Sequence, residues 1–87
     1  MSDAPPHESR GAVDPDSREP LHAQVARILR DQIRDRDLLP GEVLPTEAAL
    51  QTTYGVSRSV ARQAMATLVT EGLVVRGRGR GSIVAPE

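Results

Sequence analysis

The residues best suited to chemistry in this chain are arginines gathered towards its C-terminal end. Between Ser57 and Gly81, five arginines accompany one acidic residue, Glu71, so this stretch has a net charge of +4 although the whole chain has −1. All eleven basic residues are arginine, whose planar guanidinium donates paired hydrogen bonds to phosphates and to guanine edges. The local excess therefore favours a nucleic-acid partner. The five arginines are Arg58, Arg62, Arg76, Arg78 and Arg80.

The remaining composition argues against several other classes. With 87 residues, we expect one small domain without a deep substrate cavity, which does not favour an enzyme. The absence of cysteine excludes disulfides and Cys-based metal sites, and His7 and His22 are isolated, so we expect no metal and no cofactor. There is no apolar run of the roughly 18 residues that a membrane span needs and no signal-peptide pattern. We therefore expect a cytoplasmic protein.

The first part of the chain predicts a disordered tail. Residues 1–18 are rich in Pro, Asp, Ser and Gly and lack periodic apolar positions. Residues 1–19 contain five acidic and two basic residues, a net charge of −3. This acidic tail either screens the basic surface or aids solubility. We place the folded domain at 19–85.

Helical periodicity begins at Pro20, a favourable residue for a helix start. Apolar residues then recur at spacings of three and four, which predicts a helix that ends near Asp35 or Arg36. Leu38 to Gly41 breaks this helix, and the next three residues, 42–44, are long enough only for a short strand. The apolar stripe consists of Leu21, Val25, Ile28, Leu29 and Ile33.

A helix-turn-helix is predicted at about 46–71. Thr46 is a suitable N-cap for a short second helix, which Gly55 ends. Ser57 caps a third helix that reaches Glu71, and Gly72 follows it. The core-facing positions of this helix are Ala61, Ala64, Met65 and Leu68.

Two apolar strands, 73–76 and 82–84, flank a run of alternating Arg and Gly. A strand, a basic glycine loop and a second strand after a recognition helix predict a wing, about 73–85. The expected fold is mainly α with a small β-sheet. It is a winged helix-turn-helix of three helices and a two- to three-stranded antiparallel sheet.

Two other functions remain open from the residues alone. The Arg-Gly run is also typical of proteins that bind single-stranded RNA or DNA, but such proteins stack bases on aromatic side chains. Tyr54 is the only aromatic residue here, which counts against this reading. The third possibility is a winged helix that docks another protein chain.

Residues 20–84 resemble the DNA-binding domain of the GntR family of bacterial transcriptional regulators. The order and spacing of the matching stretches carry the resemblance, because each stretch alone is weak. They are Pro20-Leu21, Leu39-Pro40-Gly41, Leu44-Pro45-Thr46-Glu47, Tyr54-Gly55-Val56-Ser57-Arg58, Glu71-Gly72-Leu73-Val74 and Gly79-Arg80-Gly81-Ser82-Ile83-Val84.

The resemblance implies a regulator, most often a repressor, that binds a palindromic double-stranded operator as a homodimer. The third helix would lie in the major groove, where Ser57 contacts phosphate and Arg58 reads a base. The wing, with Gly79 and Arg80 at its tip, would enter the minor groove. The residues expected to contact DNA are Thr46, Ser57, Arg58, Ser59, Val60, Arg62, Gln63, Arg78, Gly79, Arg80 and Gly81.

The chain departs from the family pattern at three places. Ala48 stands where many members have a polar base-reading residue, so readout should depend more on Arg58. Val60 replaces a commonly hydroxylated residue, which favours a thymine methyl over a hydrogen bond. The chain shows no counterpart of the family's effector and dimerisation domain after Glu87. It is either an excised domain or a short regulator, and we expect the isolated domain to be monomeric or weakly dimeric.

Overall fold

The computed structural model describes residues 12–77 and 81–86. In this part of the chain, three helices precede a two-stranded antiparallel sheet, which confirms the predicted winged helix-turn-helix. None of these helices is long and apolar enough to cross a membrane. The elements are α1 (Leu21–Arg34), α2 (Glu47–Tyr54), α3 (Arg58–Thr70), β1 (Val74–Gly77) and β2 (Gly81–Val84).

Helix α1 packs against α3 through the apolar stripe predicted from its spacing. Val25 and Leu29 have no exposed surface, so these two positions anchor the helix in the core. The helix ends at Arg34, slightly before the predicted end. Arg36 follows with a φ of 68°, and this left-handed conformation turns the chain away from the helix axis.

Side-chain caps fix the starts of α2 and α3. Thr46 Oγ1 accepts a hydrogen bond from the Ala49 N–H at 3.0 Å, and Ser57 Oγ accepts one from the Val60 N–H at 3.1 Å. Gly55 ends α2 with a φ of 66°, where a side chain would be strained. The predicted caps and the turn between the helices therefore form, and they set where α3 begins.

The sheet is a hairpin supported by a third segment of chain. Val74 pairs with Val84 and Gly77 with Gly81, so β1 starts one residue later than predicted and both strands extend to the wing loop. Residues 42–44, predicted as a short strand, form a single bridge in which Val43 pairs with Ile83. Strand β2 is therefore hydrogen-bonded on both sides.

The core lies between the helices and the inner face of the sheet. It is aliphatic, as the near absence of aromatic residues requires. Strand alternation turns Val74 and Val84 inward, and both are almost fully buried. The core residues are Val25, Ala26, Leu29, Leu44, Leu50, Val56, Ala61, Ala64, Met65, Leu68, Val74 and Val84.

Residues 12–18 correct one expectation, because the sequence predicted them to belong to a disordered tail. Val13 packs against the core, and Gln24, only 2% exposed, bonds to the preceding segment. Its amide exchanges two hydrogen bonds with the backbone of Asp14 and donates a third to the Glu19 carbonyl. The prediction from composition was wrong here because the segment has little apolar content. It is attached instead by the hydrogen bonds that one buried glutamine makes with its backbone. The rest of the predicted tail lies outside the described residues.

Candidate nucleic-acid interface

The start of α3 presents a cluster of polar side chains to solvent. Ser57, Arg58 and Ser59 are exposed in the first turn, and Arg62 and Gln63 are exposed one turn later. Arg58 and Arg62 are four residues apart and so lie on the same side of the helix. The structure therefore brings these five predicted contact residues together at one exposed helix end.

Val60 differs from its neighbours in this cluster. Its side chain is half-buried and packs against the core. It precedes the buried Ala64 by one turn, which turns it partly inward. The predicted contact with a thymine methyl would use only the exposed part of this side chain, and it stays a prediction.

Ser57 caps α3 and can still donate a hydrogen bond to an anion. Its oxygen accepts the Val60 N–H, so the hydroxyl hydrogen is still able to donate. The first N–H groups of any α-helix lack intrahelical partners and carry the positive end of the helix dipole. Ser57 and the first turn of α3 are therefore suited to a phosphate oxygen.

A groove of about 570 Å³ runs beside the start of α3, between α2 and the sheet. Leu44 and Met65, both nearly buried, lie at its base. Thr46 lines the α2 side with its hydroxyl oxygen engaged in the helix cap. Arg58 reaches the same groove from α3, so the groove adjoins the polar cluster.

Two residues that line this groove, Gln51 and Arg76, were not among the predicted contacts. Arg76 was identifiable in principle, because side chains alternate along a strand and Val74 faces the core. That alternation puts Arg76 on the same face of the sheet as Val74 and hence on the side of α3. Gln51 had no comparable signal, because the sheet residues that line the groove with it come from a distant part of the chain.

The predicted wing contacts Arg78, Gly79 and Arg80 lie outside the described residues. Gly81, the fourth wing residue, opens β2 with a φ of 77°, a conformation that glycine adopts without strain. Gly77 lies across the hairpin from it. A Cβ at Gly77 would lie 2.8 Å from Ile83 Cδ1, so the base of the wing is closely packed.

The charges of the described residues are divided between two surfaces. Three arginines of α1 each form an ion pair with a carboxylate. By contrast, no ion pair involves Arg58, Arg62 or Arg76 within the described ranges. On the side of α3 and β1, these three arginines are therefore not engaged in ion pairs with any described residue, although Glu47 lines the adjoining groove. The α1 pairs are Arg27–Glu19, Arg30–Glu71 and Arg34–Asp31, with nitrogen–oxygen distances of 2.8, 2.7 and 2.6 Å.

Two of these carboxylates have a lowered pKa, so they stay charged and paired at neutral pH. The hydrogen bond from Arg30 lowers the pKa of Glu71, and the one from Arg27 lowers the pKa of Glu19. Both glutamates are thus ionised at neutral pH. Arg27 and Arg30 of α1 are therefore paired with charged carboxylates at neutral pH, whereas Arg58 and Arg62 of α3 form no ion pair among the described residues.

Comparison with known proteins agrees with this geometry. The family described as "Bacterial regulatory proteins, gntR family" matches residues 21–84, which is most of the chain. The chain belongs to the gntR family. The resemblance predicted from the sequence is confirmed, and the family consists of regulatory proteins.

Two curated proteins that resemble this chain are named as repressors. The mannosyl-D-glycerate transport/metabolism system repressor MngR of Escherichia coli is 46% identical over 68 residues, which is 78% of this chain and 28% of MngR. The HTH-type transcriptional repressor NagR of Bacillus subtilis is 39% identical over 66 residues, 76% of this chain and 27% of NagR. The chain thus spans little more than a quarter of these relatives.

Two solved structures superpose on most of this chain. AraR(DBD), crystallised in complex with an operator, has a TM-score of 0.78 at 35% identity and covers 85% of this chain and 94% of its own. YtrA from Sulfolobus acidocaldarius, a GntR-family transcription factor, has a TM-score of 0.80 at 31% identity, with 86% and 79% covered.

Proposed function

We propose that this gntR-family chain is the DNA-binding part of a transcriptional regulator that recognises a double-stranded operator by its sequence. The observation that carries the proposal is that Arg58 and Arg62 are exposed at the capped start of α3 and form no ion pair among the described residues. The arginines of α1 are instead engaged in ion pairs, so we assign the DNA contact to the face of α3.

In the proposed complex, the start of α3 lies in the major groove. Arg58 donates two hydrogen bonds to O6 and N7 of a guanine, a contact worth ~1–3 kcal/mol of discrimination against other bases. Ser57 donates its hydroxyl to the flanking phosphate and fixes the register. Arg62 and Gln63, one turn further along, contact the next base or phosphate. The wing, Arg78 to Gly81, enters the adjacent minor groove.

The relatives support a more detailed proposal for the complete regulator. AraR(DBD) was crystallised with an operator, and MngR and NagR are named as repressors. We therefore propose repression by occupation of an operator in the bacterial cytoplasm. Two copies of the domain would bind the two halves of a palindromic site. Away from DNA the isolated domain would be monomeric or weakly dimeric.

The test starts with selection of preferred duplexes from a random pool by the wild-type protein. Affinity is then measured for the selected duplex and for a scrambled duplex of the same composition. Arg58→Ala should reduce the ratio of the two affinities by about 5- to 150-fold, because it removes the bidentate contact.

The matched control is Arg34→Ala, which removes an exposed arginine of α1 that is paired with Asp31. It should leave the ratio unchanged. The proposal fails if the wild-type protein does not distinguish the two duplexes or prefers a single strand at equal salt. It also fails if Arg58→Ala leaves the ratio intact.

A further inference from the structure

We infer that the groove beside α3 holds a phosphodiester of the DNA backbone and that Arg76 binds it, an inference that rests on the proposed DNA binding. Arg76 is exposed and lies in β1, directly before the wing loop. It lines the groove together with Arg58. Its side chain thus lies between the start of α3 and the base of the wing.

The position of this groove determines which part of DNA would face it. A helix in the major groove and a wing in the adjacent minor groove lie on either side of one sugar–phosphate strand. A residue located between the two elements, as Arg76 is, therefore faces that strand. Because duplex DNA carries one negative charge per ~1.7 Å of its axis, a cation at this place meets phosphate whatever the sequence.

Other groups in the groove define where the anion would lie. Ser82 is the cross-strand partner of Arg76, and its half-buried hydroxyl is a second possible donor. Glu47, in the first turn of α2, lines the groove from the other side and would repel a phosphate. The phosphodiester is thus expected on the sheet side, against Arg76 and Ser82.

This assignment separates the role of Arg76 from that of Arg58. Contacts to phosphate position a protein on DNA and strengthen binding but do not read the sequence directly. Arg76 should therefore contribute equally to the affinity for every duplex. Arg58 should contribute mainly to the preference for one of them.

The test compares Arg76→Gln, Arg76→Lys and the control Arg34→Gln with the wild-type protein. The probes are the duplex selected by the wild-type protein and its scrambled counterpart, titrated at several NaCl concentrations. Arg76→Gln should weaken both complexes by the same factor and reduce the slope of log K against log[NaCl] by about 0.9. Arg76→Lys should keep the wild-type slope, because lysine retains the charge that a phosphate needs. The control should change neither quantity.

Two results would overturn the inference in a variant whose circular dichroism and thermal unfolding match the wild type. One is an unchanged salt slope for Arg76→Gln. The other is a loss confined to the selected duplex for both Arg76 variants, which would identify a bidentate base contact instead. Failure of this inference is distinguishable from failure of the proposed function. In the first case Arg58→Ala still reduces the sequence preference. In the second the wild-type protein shows no such preference, or Arg58→Ala leaves it intact.

Discussion

Gln24 and Asp14 exchange two hydrogen bonds next to the start of α1. The Asp14 N–H donates to Gln24 Oε1 at 2.6 Å, and Gln24 Nε2 donates to the Asp14 carbonyl at 2.9 Å. The same amide nitrogen donates to the Glu19 carbonyl at 2.8 Å. One buried side chain thus replaces the backbone partners that a strand or helix would supply. It ties the segment before α1 to the folded domain.

Gln24→Ala should lower the free energy of unfolding by about 1–3 kcal/mol, because it removes the partners of these backbone groups. Urea unfolding followed by circular dichroism measures the change. The amide of Asp14 should also lose protection from hydrogen exchange. Gln63→Ala, at an exposed position of α3, is the matched control and should leave stability nearly unchanged. Equal stability of the two variants would contradict the role assigned to Gln24.

The ion pair between Arg30 and Glu71 should make stability depend on acid pH. The hydrogen bond from Arg30 lowers the pKa of Glu71 in the folded protein below its usual 4.5. The folded state therefore gains stability from this carboxylate above its unfolded pKa, and loses that gain as the pH falls through the lowered value. The difference in unfolding free energy between wild type and Glu71→Gln should thus be largest near neutral pH and vanish in acid.

The control for this pH series is the same Glu71→Gln substitution in an Arg30→Gln background, where the hydrogen bonds from Arg30 are absent. There the difference caused by Glu71→Gln should lose most of its dependence on pH. Because the Arg30–Glu71 pair is partly exposed, added salt should reduce its contribution. A difference for Glu71→Gln that is independent of pH would contradict the assignment.

Gly77→Ala should destabilise the hairpin through steric contact. A Cβ at this position would lie 2.8 Å from Ile83 Cδ1 and 3.1 Å from the Gly81 carbonyl oxygen. The expected loss is about 1–3 kcal/mol in the free energy of unfolding. Ile83→Val removes Cδ1, so the double variant should lose less than the sum of the single losses. Strict additivity in urea unfolding would show that the two side chains do not meet.

Ser57 has a structural role as the cap of α3 and a proposed role in binding DNA, and two substitutions should separate these roles. Ser57→Ala removes the N-cap of α3 and should cost about 1 kcal/mol of stability. Ser57→Asp retains a capping oxygen and should keep near wild-type stability, but its negative charge would face the DNA phosphate. Thermal unfolding and duplex affinity, measured on both variants, test this. The assignment is wrong if Ser57→Asp binds duplex as well as the wild type does.

Local sequence patterns predicted most of this fold, because interactions between residues close in sequence determine the helices and their caps. The spacing of Val25 and Leu29 predicts α1, and the caps at Thr46 and Ser57 use bonds to residues three positions away. The exposed positions Arg58 and Arg62 followed from the helical period alone. These predictions did not require knowledge of the tertiary contacts.

The features that sequence analysis missed depend on contacts between distant residues. Arg30 pairs with Glu71, 41 positions later, and no local pattern identifies such a partner. The buried amide of Gln24 looks like any polar residue of a helix until the preceding segment is placed against it. Strand alternation puts Arg76 on the same face of the sheet as Val74, but its position in the groove also depends on how the sheet packs beside α3.

The pairing of carboxylates with the arginines of α1 also affects how this protein meets its target. With a total charge of −1, it gains little attraction from a polyanion beyond the Debye length, ~8 Å at physiological ionic strength. In the proposed complex, an encounter that turns α3 towards the duplex brings Arg58 and Arg62, which form no ion pair among the described residues, within that range. Orientation at short range should therefore influence binding more than the total charge does.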